Sequence, residues 1–355
     1  MRFRAFMLLV LVILSQTLVL AGPLDPPTGP ISPTMKTLDQ VEPRIPIGPD
    51  TTPGDAECVY RITQPGSYYL TENLQGELGK HGIVIATPQV SLDLNGFVIA
   101  GPDGPRQGTH HGIRAAVLLK GATIQNGQIR DWSGDGLSLR DIGQSLHESV
   151  VVKDIHAIGN TETGINAFTD SSIITRCSAT ANQNGGIFGW HATVIECVAD
   201  RNLEYGIYVL DGIASKCFAS TNWVVGIQII RGTVKDCVLI NNFGAGIEAG
   251  SSMVIENVLF SNDTVDEDGA GIVASVSCVI RDNLCGSNDF GIRVEGEDNF
   301  ITGNKCRENG VNWFIVAGNF YGPIIDRTAV TPGGVFGNAA SGTLGTSDPN
   351  ANFSY

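Results

Sequence analysis

Gly206-Ile-Tyr-Val-Leu-Asp-Gly-Ile-Ala-Ser-Lys-Cys-Phe-Ala-Ser-Thr-Asn-Trp-Val-Val225 runs directly into Gly226-Ile-Gln-Ile-Ile-Arg-Gly-Thr-Val-Lys-Asp-Cys-Val-Leu-Ile-Asn-Asn-Phe-Gly-Ala245. Set one above the other, these stretches match at Gly206 and Gly226, Ile207 and Ile227, Cys217 and Cys237, and Asn222 and Asn242. The pattern extends both ways. Gly-Ile (once Gly-Leu) starts at 82, 112, 136, 164, 186, 206, 226, 246, 271 and 291, most often 20 residues apart. A second column reads Cys177, Cys197, Cys217, Cys237, Asn257, Asn283 and Asn304, and a third Asn182, Asn202, Asn222, Asn242, Asn262, Asn288 and Asn309. Three residues before the second column stands an apolar one: Ile174, Val194, Ala214, Val234, Val254, Ile280 or Ile301. Columns in register over so many repeats do not arise by chance.

Each repeat holds three short β-type pieces, such as Gly206–Leu210, Gly212–Ser215 and Cys217–Ser220, punctuated by Gly, Asn, Asp or Ser as turns require. Leucine-rich repeats share the period but need a Leu-x-x-Leu-x-Leu scaffold, which is absent. Three strands and three turns make one coil of an all-β, single-domain parallel β-helix. Stacking pairs each strand with its equivalent one coil away, about 4.8 Å on. Identical residues then form inward stacks of Ile, Cys and Asn, and Asn amides bridge along the stack to satisfy buried turn groups. The repeats predict about ten to eleven coils over residues 57–320, a rod roughly 50 Å long.

The 355 residues are 42% hydrophobic and 16% charged, with 44 Gly, which excludes a disordered chain. The net charge of −14, with no basic run, excludes nucleic acid as a partner. Residues 1–21 predict a signal peptide: Arg2 and Arg4 precede an apolar run, and Val19-Leu20-Ala21 ends it as a cleavage site does. The polar break Ser15-Gln16-Thr17 and the following Gly22-Pro23 favour cleavage over a membrane anchor. No later apolar stretch has the length to span a bilayer, so the mature chain is expected to be secreted, whether extracellular, periplasmic or on the cell surface. Residues 22–56 are Pro-rich and should be extended. Arg61–Leu70 should close one end of the rod and Trp313 to about Ala329 the other, with 321–355 a capping tail whose last residues drape over the surface.

The coil Leu92-Asp-Leu-Asn-Gly-Phe-Val-Ile99, the Gly-Ile, Asn and Cys columns and the opening Ile62-Thr-Gln-Pro-Gly-Ser-Tyr-Tyr-Leu70 resemble exported bacterial right-handed parallel β-helix proteins of the pectate-lyase-like superfamily. The resemblance implies the right-handed sense of the coil. It also points to a group that includes polysaccharide lyases, glycoside hydrolases, epimerases and members without assigned function.

Eight Cys in an exported chain suggest disulfides. The stacked Cys177–Cys237 column reads instead as reduced small hydrophobes, because side chains in register point in parallel. Cys285 and Cys306, one coil apart, are the best-placed pair for a bridge, while Cys58 and Cys278 have no evident partner. No cofactor is indicated. The insertion carrying Asp263, Asp266 and Asp268 has two readings, a Ca²⁺-holding loop or a solvated acidic one.

With Ile pointing inward, the strand after each Gly faces outward through two columns. The first contains Val84, Arg114, Ser138, Asn166, Phe188, Tyr208, Gln228 and Glu248, and the second Arg140, Phe168, Trp190, Leu210 and Ile230. Phe168, Phe188, Trp190, Tyr208 and Gln228 thus form a candidate surface for a polysaccharide. Arg114, Arg140, His111 and Asp135 at its end are candidate catalytic groups: in a uronate lyase the arginines neutralise the carboxylate and His111 removes the α-proton. Cationic Arg114 and Arg140 favour an acidic glycan. No hydrolase or lyase motif of the superfamily is present, so whether the protein is an enzyme stays open. The other function class is an inert scaffold or adhesion rod, monomeric or homo-oligomeric, whose aromatic face is covered by its own tail or a sister subunit. A separate outward column, Arg176, Glu196, Lys216 and Asp236, predicts an ion-pair ladder.

Overall fold

The computed structural model describes residues 43–140, 147–262, 269–329 and 344–355. The signal-peptide reading of 1–21, most of the Pro-rich segment and the candidate calcium loop (Asp263, Asp266, Asp268) lie outside the described residues. From Arg44 onward the chain is one unit, a parallel β-helix of about twelve coils.

The coil quoted above shows why. Its strands are Tyr205–Leu210, Ile213–Ser215 and Phe218–Ser220, and the next coil repeats them as Val225–Ile230, Thr233–Lys235 and Val238–Ile240. Pairing is parallel and in register: Ile207 with Ile227, Ala214 with Val234, Ala219 with Leu239. Three sheets result, carrying the Gly-Ile strands, the short middle strands and the strands that follow the Cys column. Ile187, Ile207, Ile227, Ile247, Ile272 and Ile292 are fully buried in one stack.

Each corner of a coil is one residue in the left-handed region: Asp211, Lys216 and Thr221 have φ of 55°, 53° and 55°. That backbone costs roughly 1–2 kcal/mol per non-glycine residue, and the buried ladder just after each corner offsets it. Asn202 donates its Nδ2 to Asn222 Oδ1 at 2.9 Å and to Ala179 O at 3.1 Å, while its own N–H donates to Asn222 Oδ1 at 3.1 Å. Asn182, Asn222, Asn242, Asn262 and Asn288 repeat the arrangement. The glycine of each Gly-Ile step makes room for it. A Cβ on Gly206 would lie 2.6 Å from both Asn222 Nδ2 and Gly226 O.

All eight Cys are buried free thiols, so Cys285 and Cys306, paired across adjacent strands, form no bridge. Cys177, Cys197, Cys217 and Cys237 direct their Sγ at main-chain carbonyls. The predicted ion-pair ladder is replaced by local pairs. Its members are the left-handed corner residues, and Arg176 chelates Asp154 below it while Lys235 reaches Asp236 and Glu256.

Both ends differ from expectation. Arg61–Leu70 belongs to the first full coil, and it is Arg44–Pro53 that covers that end: Ile45–Pro46 adds parallel to Gly66–Tyr69, and Ile47 is buried. At the other end the last residues do not drape. Asn352–Ser354 inserts as a strand between Lys305–Arg307 and Ile324–Asp326. Asn352 carries the second column one step further by accepting the Asn304 N–H at 3.1 Å. The coils that carry no Gly-Ile step are Cys58–Gln75 and the one opened by Val311–Ile315. Val59-Tyr60 and Asn312-Trp313 stand at the equivalent positions.

Candidate functional site

The outward columns of the Gly-Ile sheet pair in the expected order. Asn166, Phe188, Tyr208, Gln228 and Glu248 stand on successive coils, and Phe168, Trp190, Leu210 and Ile230 run beside them. Val84 and Ser138 share the first column yet are buried. The four aromatic residues are half-buried against one another. Phe168 and Phe188 stack with centroids 6.2 Å apart, Phe168 tilts onto Trp190 at 4.5 Å, and Tyr208 meets Phe188 edge-on at 5.3 Å. Beside them opens a cavity of about 570 Å³, whose lining includes Arg140, Asn166, Asn184, Glu204 and Tyr205. Asn184 Oδ1 and Trp190 Nε1 are buried and have no hydrogen-bond partner among the described residues.

A polar column is formed by the residue preceding each glycine, His81, His111, Asp135, Thr163, then Gly185 and Tyr205, of which Thr163 and Tyr205 line this cavity. His111 N–H donates to His81 Nδ1 at 2.9 Å, and Asp135 N–H to His111 Nδ1 at 2.9 Å. Each imidazole therefore uses its lone pair on the next coil and carries its proton on Nε2. Burial lowers the His111 pKa to about 4 despite the opposing charge of Asp135. Gly185 has no side chain, so Tyr205 lies over it, and a Cβ there would sit 2.1 Å from the Tyr205 ring. Tyr205 Oη thereby comes within 3.4 Å of Thr163 Oγ1, and burial pushes its phenol up to about 12.

Asp135 is fully buried and receives Arg140 Nε at 2.9 Å, Arg140 Nη2 at 3.2 Å and the Thr163 N–H at 3.1 Å. Arg140 Nη2 also donates to Glu162, whose pKa is raised by burial and by Asp135. His147 donates from Nε2 to the Arg140 carbonyl at 3.0 Å, since its Nδ1 accepts the Leu119 N–H.

Three expected site residues thus come together, His111, Asp135 and Arg140, but not in the roles first read for them. The lone pair of His111 is engaged, so it is no base. Arg140 is held by two carboxylates, and with Glu204 the site is net negative. Arg114 Nη1 lies 3.4 Å from His81 Nε2, where two donors face each other and no hydrogen bond results. His111, Asp135 and Glu162 offer ligand atoms within 4.8 Å of one another, but Arg140 and main-chain N–H groups already occupy His111 and Asp135, so this donor set does not fit a metal ion. Gln228 belongs elsewhere. Its Nε2 donates to Glu248 Oε2 at 3.1 Å, and both line a second concavity of about 490 Å³ further along the face.

Sequence reasoning missed Tyr205, Thr163, Glu162 and Asn184. The column before each glycine was legible, and reading it as a stack would have placed Thr163 beside Asp135, whereas Tyr205 stands two coils beyond Thr163 and reaches it across Gly185.

Residues 115–278 match the family described as right handed beta helix region. The fold is thus a right-handed parallel β-helix. No curated protein matches the sequence. Among solved structures the chain is similar to the Azotobacter vinelandii mannuronan C-5 epimerase AlgE6 A-module, at 14% identity and a TM-score of 0.48 over 73% of this chain and 91% of that one. It is also similar to the Dettilon tailspike protein, at 12% identity and a TM-score of 0.43 over 84% and 60% of the two chains. A third similar structure is the siphovirus 9NA tailspike receptor binding domain, at 11% identity and a TM-score of 0.29 over 78% and 54%. No helix among the described residues is long and apolar enough to cross a membrane.

Proposed function

We infer that this protein is an exported polysaccharide-binding β-helix and that its ligand is an uncharged glycan. One observation carries the reading: Phe168, Phe188, Trp190 and Tyr208 line up on successive coils beside a cavity in which the one guanidinium is neutralised. Aromatic faces pack against the C–H faces of sugar rings, while Asn166, Asn184 and Tyr205 supply hydrogen bonds to hydroxyls. The excess of Glu204, Glu162 and Asp135 over Arg140 repels uronates, so the acidic glycan first read from Arg114 and Arg140 is not supported. A scaffold covered by its own tail finds no support in the described tail either, because Asn352–Ser354 pairs at the far end of the rod.

Burying one sugar face on Trp190 or Tyr208 contributes on the order of 1 kcal/mol. Affinity electrophoresis through dextran, laminarin, galactomannan and yeast mannan should retard the parent. Trp190→Ala with Tyr208→Ala should weaken retention about tenfold. Retention by none of them, equal retention of the double variant, or stronger retention by pectate or alginate would overturn the reading.

A further inference from the structure

Three coils beyond Phe188 the same face changes character. The second outward column, bulky at Phe168, Trp190, Leu210 and Ile230, becomes Gly250 and Ser275 before ending at Glu295. Losing those side chains opens the 490 Å³ concavity, with Ile230 and Val273 as apolar walls. Glu248 projects into it from the first column, held by Gln228 Nε2 at 3.1 Å. Arg293, two coils on in the same column, pairs through Nε with Glu295 Oε1 at 3.0 Å.

The two carboxyl groups live in different surroundings. Glu248 is half-buried, and burial first, then the charge of Glu295, raise its pKa, against the smaller opposing effects of Arg293 and Gln228. The Glu295 side chain is 53% exposed and ion-paired. Neighbouring carboxyl groups set apart in this way are suited to separate proton-donor and proton-acceptor roles.

We propose that this notch is a glycoside-hydrolysing centre in which Glu248 is the proton donor and Glu295 the proton acceptor. The proposal rests on the glycan reading above, since Glu248 stands two coils, about 10 Å, beyond Tyr208, within reach of a chain laid along the aromatic row. Glu248 in its acid form gives its proton to the glycosidic oxygen as the bond from that oxygen to C1 breaks. Water adds its oxygen to C1 and yields a proton to the Glu295 carboxylate. The products are a hemiacetal and a free hydroxyl, and solvent carries the proton from Glu295 back to Glu248. Arg293 pairs with the Glu295 carboxylate, and Gln228 orients Glu248 without adding charge.

The test uses whichever of the four uncharged polysaccharides retains the full-length protein and measures reducing ends released from it. The parent should cleave, with an alkaline fall in rate set above the ordinary carboxylate range. Glu248→Gln and Glu295→Gln should each lower the rate at least about 100-fold while retention in the gel stays at the parent value, which also shows that the variants fold. Retention without cleavage, or cleavage by E248Q at the parent rate, overturns the hydrolytic centre and leaves glycan binding standing. Retention by none of the polysaccharides removes both.

Discussion

His81 Nδ1 accepts the main-chain N–H of His111 at 2.9 Å, and the two imidazoles stack with centroids 5.3 Å apart and planes 3° from parallel. Protonating Nδ1 of either ring would break a buried bond between coils. Burial lowers the His81 pKa to about 3, helped by the charges of His111 and Arg114, and burial also lowers that of His111 to about 4. An unfolded His titrates near 6.5, so below that pH the unfolded chain binds more protons. The contribution of this pair is fully present above about pH 6.5 and is lost as pH falls toward 4 and then 3. Its slope is at most about 1.4 kcal/mol per pH unit for each ring. Urea melts at pH 7, 5.5 and 4.5 should show the parent losing more stability than His81→Gln with His111→Gln. Equal losses would mean the stacked rings do not set the acid limit.

Asp135 has no exposed surface, whereas the Arg140 side chain is half exposed. Removing the guanidinium strands a charge, so Arg140→Ala should cost about 3–5 kcal/mol. Adding Asp135→Asn removes the stranded charge, and the double variant should recover more than half of that loss. A double variant no more stable than Arg140→Ala would show that the carboxylate is not held by this pair.

The coil-to-coil register, the inward Ile, Cys and Asn columns and the aromatic row were legible because a 20-residue period superposes equivalent residues. What escaped the period escaped the reading. Cys58–Gln75 and Val311–Ile315 carry Val59-Tyr60 and Asn312-Trp313 where inner coils have Gly-Ile, so the Gly-Ile column does not mark the end coils. The neutralisation of Arg140 depends on Glu162, 22 residues later, whose side chain turns back across one coil. Tyr205 reaches Thr163, 42 residues away, by crossing the bare Gly185. Periodicity gives the column a side chain occupies but not a contact that skips a coil.

Cys237 N–H donates to Asn257 Oδ1 at 2.9 Å, and this is where the second column changes from thiol to amide. An amide at 237 would meet the same acceptor with its Nδ2, as Asn257 meets Asn283 at 3.0 Å. Cys237→Asn should therefore shift stability by less than about 1.5 kcal/mol. Cys237→Asp buries a carboxylate against Asn257 Oδ1 and should cost about 3 kcal/mol or more, with part of the loss restored at low pH. Superimposable denaturant melts for the two variants would mean that position 237 is not the enclosed ladder position described.

Asn304 and Asn352 are adjacent rungs although 48 residues separate them, whereas the inner rungs are 20 to 26 apart. Between them Val311–Ile315 and Phe320–Tyr321 add one more coil to the stack, and the final strand enters that coil between Lys305–Arg307 and Ile324–Asp326 rather than lying on the outside. Asn352 Oδ1 takes the Asn304 N–H and its Nδ2 donates to Ile301 O at 3.3 Å, while Ser354 Oγ accepts Trp313 Nε1 at 2.8 Å. Without this strand the edge of Lys305–Arg307 and the buried Cys306 face solvent, an open template for pairing with another chain. Deleting 344–355 should lower the melting temperature and produce concentration-dependent aggregation in light scattering. Asn352→Ala, which keeps the strand but removes the rung, should cost about 1–3 kcal/mol without aggregation. A soluble truncated protein with the parent's melting curve would show that the coil end needs no such closure.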